Sequence, residues 1–101
     1  MDTTQDLPIL CLFPLGDVVI THGAHEALAL DENPRAADSY LRQHAFGQWG
    51  DLCDEDKESN DEALKHGERL LSAYTMPDGG RLWIITEWDR SVTTLLLPCE
   101  Y

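Results

Sequence analysis

Seven carboxylates stand in one short stretch of this chain: Asp51, Asp54, Glu55, Asp56, Glu58, Asp61 and Glu62, with Lys57 the single cation among them. Such side chains serve as metal ligands, as general acids and bases, or as a charged surface. A calcium loop needs oxygens at fixed positions, and Asp51-Leu52-Cys53-Asp54-Glu55-Asp56 lacks the D-x-D-x-D-G pattern that wraps the ion. His22 and His25 lie three residues apart beside Glu26, but HxxHE is no zinc-protease signature and HExxH is absent. No metal and no cofactor is therefore expected. The charged-surface use fits better. Along about three turns of helix the carboxylates fall a few ångströms apart, on the scale of the phosphates of a nucleic-acid strand. Such an array suits the basic groove of a nucleic-acid-binding protein, and the plain alternative is a solvated helix face. Its cost is self-repulsion, offset in part where acids in the first turn meet the positive end of the helix dipole.

A second constellation is His44, Trp49, Glu87 and Arg90. These are helix-end and turn residues that can converge on a polar pocket, which would make the protein a small-ligand binder or an enzyme. The plainer expectation for His44, on the apolar side of a helix, is a core-edge histidine with a backbone partner. In Thr86-Glu87-Trp88-Asp89-Arg90-Ser91, Arg90 is expected to pair with Glu87 or Asp89, and Ser91 with Asp89. No GxSxG, Walker loop, GxGxxG or spaced Cys/His cluster is present, so catalysis is the less favoured reading. Cys11, Cys53 and Cys99 make an odd count without CxxC spacing and read as reduced thiols, with Cys11 buried. Cys53 precedes Asp54, Glu55 and Asp56, whose negative charge disfavours a thiolate nucleophile.

The whole chain shares the acidity of that stretch. Nineteen acidic against seven basic residues give a net charge of −12, which opposes direct binding to nucleic acid or an anionic membrane and favours a basic protein partner. With 101 residues, 43% of them hydrophobic, the chain is expected to form one domain with a small core. No run approaches a membrane span, and the polar, acidic residues 1–7 are expected to fray and do not resemble a secretory leader. A cytoplasmic protein is expected.

The elements that must position these residues follow from pattern and punctuation. Leu70–Met76, Leu82–Trp88 and Val92–Leu97 read as a three-stranded meander. Pro77-Asp78-Gly79-Gly80 supplies the first turn and Trp88-Asp89-Arg90-Ser91 a second without glycine. Leu82, Trp83, Ile84 and Ile85 are apolar on both faces, as a central strand requires, and Leu95–Leu97 look buried on both faces as well. Upstream, residues 8–14 form a proline-bracketed apolar segment expected to lie extended on the core or a sheet edge, and Asp17–Thr21 a first strand. A short helix follows from Thr21 or His22 to Leu30. A second is signalled by Asn33 as N-cap with Pro34 in its first turn, carrying Ala37, Tyr40, Leu41, His44 and Ala45 on one side. A third, capped by Asp51 or Asp54, runs through His66 to Gly67, with Leu52, Ala63 and Leu64 its apolar contacts. The sum is an α+β fold, ordered strand, two or three helices and then the meander: a small four-stranded, mainly antiparallel sheet with helices packed on one face.

Three stretches carry a resemblance: residues 47–52 (GQWGDL), residues 60–64 with 67–74 (NDEAL, GERLLSAY), and residues 83–98 (WIITEWDRSVTTLLLP). Together they are similar to a family of small bacterial hypothetical proteins found largely on plasmids, integrated elements and phages. Some members are labelled "type I restriction endonuclease subunit M" and others "plasmid-related protein". The resemblance extends over roughly residues 11–101 and brings no activity or site residue with it. A methyltransferase subunit needs a Gly-rich cofactor loop and an N/D-P-P-Y/F motif, and the chain has neither. The resemblance implies a mobile-element setting, in which small acidic proteins blunt host defence.

The favoured functional expectation is a non-enzymatic interaction protein that uses the 51–62 carboxylates against a basic protein, as a nucleic-acid mimic or host-defence inhibitor. The alternatives are the pocket around His44, Trp49, Glu87 and Arg90, and a structural homodimer joined through the open sheet edge or the 8–14 segment.

Overall fold

The computed structural model describes residues 11–101. The fraying expected of residues 1–7, and the first part of the 8–14 segment, lie outside the described residues. The elements run β1 (Asp17–Ile20), α1 (His22–Ala29), α2 (Ala36–Ala45), α3 (Asp54–His66), β2 (Leu70–Thr75), β3 (Arg81–Thr86), β4 (Val92–Leu96) and a closing 3-10 turn (Pro98–Glu100). The strands form one sheet in the order β1-β4-β3-β2. β2, β3 and β4 make the antiparallel meander, and β1 adds to β4 in parallel, with Val18 beside Thr93 and Ile20 beside Leu95. This is the expected α+β sheet, mainly antiparallel, with β3 buried between two neighbours.

Alternation along the strands sets the core. Leu70, Ser72, Tyr74, Leu82, Ile84, Thr86, Thr93 and Leu95 all fall on one face, and all are buried. Against this face α1 lays Ala24 and Leu28, and α2 lays Ala36, Ala37, Tyr40 and Leu41. A second cluster joins Phe13, Trp49, Ala63 and Leu70, with Leu52 and Leu64 packed on it as expected. The opposite face carries Trp83, which meets the Tyr101 ring edge-on at 5.6 Å. The C-terminal segment also ties down α1: the Glu100 carboxylate accepts from Thr21 Oγ1 and from the Gly23 N–H at 3.0 Å. Those bonds hold its pKa below the ordinary value, the Thr21 hydroxyl contributing most.

Two helix starts and the burial of one cysteine depart from expectation. Regular α2 begins at Ala36 with Arg35 at its N-cap, two residues after the proline. Asn33 serves the turn before it: its Oδ1 accepts from the Arg35 N–H at 3.0 Å and its carbonyl from the Ala36 N–H. At α3 the N-cap is Cys53, without a side-chain bond, because Asp51 is occupied elsewhere and Asp54 already lies inside the helix. Cys11 is exposed, not buried. The next residue, Leu12, bonds its N–H to the Ala45 carbonyl, and this contact turns Phe13 rather than Cys11 into the core.

The two sheet edges differ. The outer side of β2 is covered by the turn before α3, where Ala73 N–H donates to Trp49 O and Ala73 O accepts from Asp51 N–H. Gly50 lies between, at φ 81°, and a Cβ there would meet Ala73 O at 2.0 Å, so only glycine permits this approach. Further along, Asn60 in α3 binds both polar groups of Leu71, accepting from its N–H at 3.1 Å and donating to its carbonyl at 2.7 Å. β1, in contrast, is exposed along its whole length.

Candidate functional site

The seven carboxylates of the 51–62 stretch do three different things. Asp51 and Asp61 serve the fold. Asp51 Oδ2 accepts from Thr75 Oγ1 at 2.6 Å, which fastens the turn to the end of β2. Asp61 Oδ1 accepts from the indole N–H of Trp49 at 3.1 Å, satisfying the one polar atom of a buried tryptophan. Glu62 lies near Lys65 at 3.7 Å and His66 at 3.3 Å, in the last turn of α3, where the Lys65 cation also complements the negative end of the helix dipole. Asp54, Glu55, Asp56 and Glu58 remain. All four are exposed, and none has an ion-pair partner among the described residues. Helical geometry puts Asp54, Glu55, Glu58 and Glu62 along one stripe, directed away from Asn60 and Ala63, which are buried. Glu68, beyond the helix, borders the same shallow surface as Glu55 and Glu58 and was not foreseen from the stretch itself.

His44, Trp49 and Arg90 also come together, around a residue not foreseen as part of the group. The Phe13 ring meets His44 edge-on at 5.3 Å and stacks on Trp49 at 6.3 Å, and the Arg90 guanidinium lies 5.7 Å from its centroid. Trp49 and His44 also meet edge-on at 5.7 Å. These side chains fill the space at which they converge: His44 is 0% exposed and Trp49 4%. Glu87 joins through its backbone carbonyl, which accepts from Arg90 Nη1 at 3.0 Å.

His44 is the hub of a chain of buried polar groups. Its Nδ1 lies 2.5 Å from Ser72 Oγ and its Nε2 lies 2.9 Å from Thr86 Oγ1; Thr86 Oγ1 is 2.7 Å from Thr93 Oγ1. Thr93 donates its only proton to the Leu15 carbonyl at 2.7 Å. The rest follows from one proton per hydroxyl. Thr93 must accept from Thr86, so Thr86 accepts from an Nε2–H; because burial keeps the ring neutral, Nδ1 is unprotonated and accepts from Ser72. His44 is therefore the neutral Nε2–H tautomer. Burial, reinforced by the positive charge of Arg90, pushes its pKa down to about 3 from 6.5. A serine donating to an imidazole has the form of a nucleophile and its base. Here Ser72 is also 0% exposed, so no substrate reaches the pair, and what it does is join α2 to β2, β3 and β4.

Arg90 takes carbonyls as partners instead of the expected carboxylates. It has φ 61°, and from that left-handed backbone Nη1 reaches the carbonyls of Glu68 at 2.7 Å and Trp88 at 3.2 Å. Nη2 reaches the Ala63 carbonyl in the last turn of α3 at 3.4 Å. The Ala63 carbonyl already accepts from the N–H groups of Gly67 and Glu68, so Arg90 adds there only a cation at the negative end of the α3 dipole. Together with the Glu68, Glu87 and Trp88 carbonyls this outweighs solvated pairing with the carboxylates of Glu87 or Asp89. The Ser91–Asp89 pair forms as expected, through the Ser91 N–H at 3.0 Å. Lysine cannot reproduce the fork of donors, so Arg90→Lys should destabilise the fold by about 1–2 kcal/mol and Arg90→Ala by about 2–3 kcal/mol in urea unfolding. Equal midpoints for wild type and Arg90→Ala would show that these bonds contribute nothing.

Set beside known proteins, the chain matches no family model, no curated protein and no solved structure. No helix among the described residues is long and apolar enough to cross a membrane.

Proposed function

We propose that this is a non-enzymatic interaction protein of mobile-element origin that docks the acidic face of α3 onto the basic groove of a nucleic-acid-binding protein. The observation that carries this reading is the set of four exposed carboxylates, Asp54, Glu55, Asp56 and Glu58, that neither cap, pair nor anchor anything among the described residues. The fold uses Asp51 and Asp61 and leaves these four facing water. The helix is held from the side of Asn60, Ala63 and Arg90, so the stripe of Asp54, Glu55 and Glu58 is presented on a fixed support, with Asp56 exposed but off the stripe. Such a surface competes with a phosphate backbone for the same cations, and a net charge of −12 speeds the encounter with a basic partner. A protein of this kind inhibits its target by occupation, without chemistry.

The test is capture of basic proteins from the native host, washed at low and high salt, by wild type and by an Asp54→Asn, Glu55→Gln, Asp56→Asn, Glu58→Gln variant. The expected result is a nucleic-acid-binding partner that the wild type releases as salt rises and the variant retains at least about ten-fold less well. The variant should keep its fold, since relief of repulsion and loss of dipole pairing oppose each other. Undiminished capture by a folded variant would refute the reading.

A further inference from the structure

Between the end of α1 and the β2–β3 hairpin lies a groove of about 610 Å³, lined by apolar Leu30, Met76 and Pro77 and by the carboxylates of Asp31, Glu32 and Asp78. Two features mark it as more than a dent in the surface. Leu30 is 82% exposed at its wall, the most exposed large apolar side chain among the described residues. The three carboxylates have no ion-pair partner among the described residues. Asp31 and Asp78 are also fixed in place: one oxygen of each accepts a turn N–H, from Asn33 and Gly80 respectively, both at 2.8 Å, which leaves the second oxygen open. The two act on a common point, because the Tyr40 phenol is raised above its ordinary pKa by burial first and then by the charges of Asp31 and of Asp78. Tyr40 itself is held against Tyr74, with ring centroids 5.2 Å apart.

An apolar wall beside uncompensated negative charge selects a ligand that is hydrocarbon at one end and cationic at the other. Water or a bare metal ion gains nothing from Leu30, Met76 and Pro77, and a neutral apolar group leaves the carboxylates unanswered. Lysine and arginine side chains have both parts. We infer that the groove takes an arginine or lysine side chain from a basic partner segment, with its methylene stem on Leu30, Met76 and Pro77 and its cationic head among Asp31, Glu32 and Asp78. The inference rests on the reading of the protein as a binder of basic proteins. It adds a shaped anchor to the open charged face of α3, and anchors in pockets fix the register that a charged face alone leaves loose.

The test is a titration of the intact, isotope-labelled protein with N-acetyl-arginine amide, followed by amide NMR, with the neutral N-acetyl-citrulline amide as control. The amides of Leu30, Asp31, Met76 and Gly79 should shift with the arginine compound and remain still with citrulline. An Asp31→Asn, Asp78→Asn variant keeps both turn acceptors and loses only charge, so it should fold and bind about ten-fold more weakly or worse. Shifts confined to α3, equal shifts with citrulline, or undiminished binding by the double variant would each overturn the proposal. The four-residue α3 variant separates the two readings. Groove shifts that persist in it, with partner capture undiminished, retain the groove and remove the α3 face. Lost capture with no groove shifts in the wild type does the reverse.

Discussion

Replacing His44 by alanine should destabilise the protein by about 3–5 kcal/mol, the largest effect expected of any single substitution here. The imidazole is fully buried, so its removal leaves a cavity lined in part by Phe13 and Trp49. It also strips Ser72 of its acceptor and Thr86 of its donor inside the core. Domains of this size are stable by about 5–15 kcal/mol, so the loss takes a large share of the total. A double-mutant cycle with Ser72→Ala isolates the hydrogen bond from the cavity. Ser72→Ala should cost less in the His44→Ala background than in wild type, by about 1 kcal/mol, because its partner is already gone. A urea midpoint for His44→Ala within about 0.5 kcal/mol of wild type would mean that the buried network contributes little.

The same residue sets the expected response to acid. Its folded pKa of about 3 lies below the 6.5 of an unfolded histidine. Between those values the unfolded chain binds a proton that the folded chain refuses, so stability is complete above pH 6.5 and falls as pH drops. The slope should be about 1.4 kcal/mol per pH unit. Protonation of the nineteen carboxylates opposes this by relieving repulsion, but ordinary carboxylates take up protons near pH 4, well below the upper part of the window. Between pH 6.5 and 5 the histidine slope should therefore dominate. Urea midpoints at pH 7.5, 6.0 and 5.0 measure it, with His44→Gln as a variant that keeps one donor and one acceptor and cannot titrate. A flat profile in wild type, or an equal slope in His44→Gln, would overturn the assignment.

Much of the architecture was legible from local signals. Pro77-Asp78-Gly79-Gly80 fixes a hairpin because each residue meets a backbone need of the turn, and Gly67 ends α3 in the left-handed conformation that glycine adopts without strain. Apolar spacing placed Tyr40, Leu41, His44 and Ala45 on the inner side of α2. The starts of α2 and α3 were less legible, since Asn33 and Asp51 can each bond several groups within reach. Asn33 went to the turn ahead of α2, and Asp51 to Thr75, a residue far along the chain.

The sequence by itself determined the strand meander, two or three helices ahead of it and a surplus of acidic side chains on the last of them, because turn chemistry, periodicity and charge are properties of neighbours along the chain. Tertiary structure decided which of those side chains the fold consumes. Asp61 reads no differently from Glu58 until Trp49 arrives with an indole N–H to satisfy, and Arg90 reads as a partner for Glu87 or Asp89 until the end of α3 offers its carbonyls. His44 became the neutral center of a buried chain only because Ser72, Thr86 and Thr93 fall on the same sheet face beneath it. A polar group leaves water only when a partner waits inside, and that partner is brought by the fold from elsewhere in the chain.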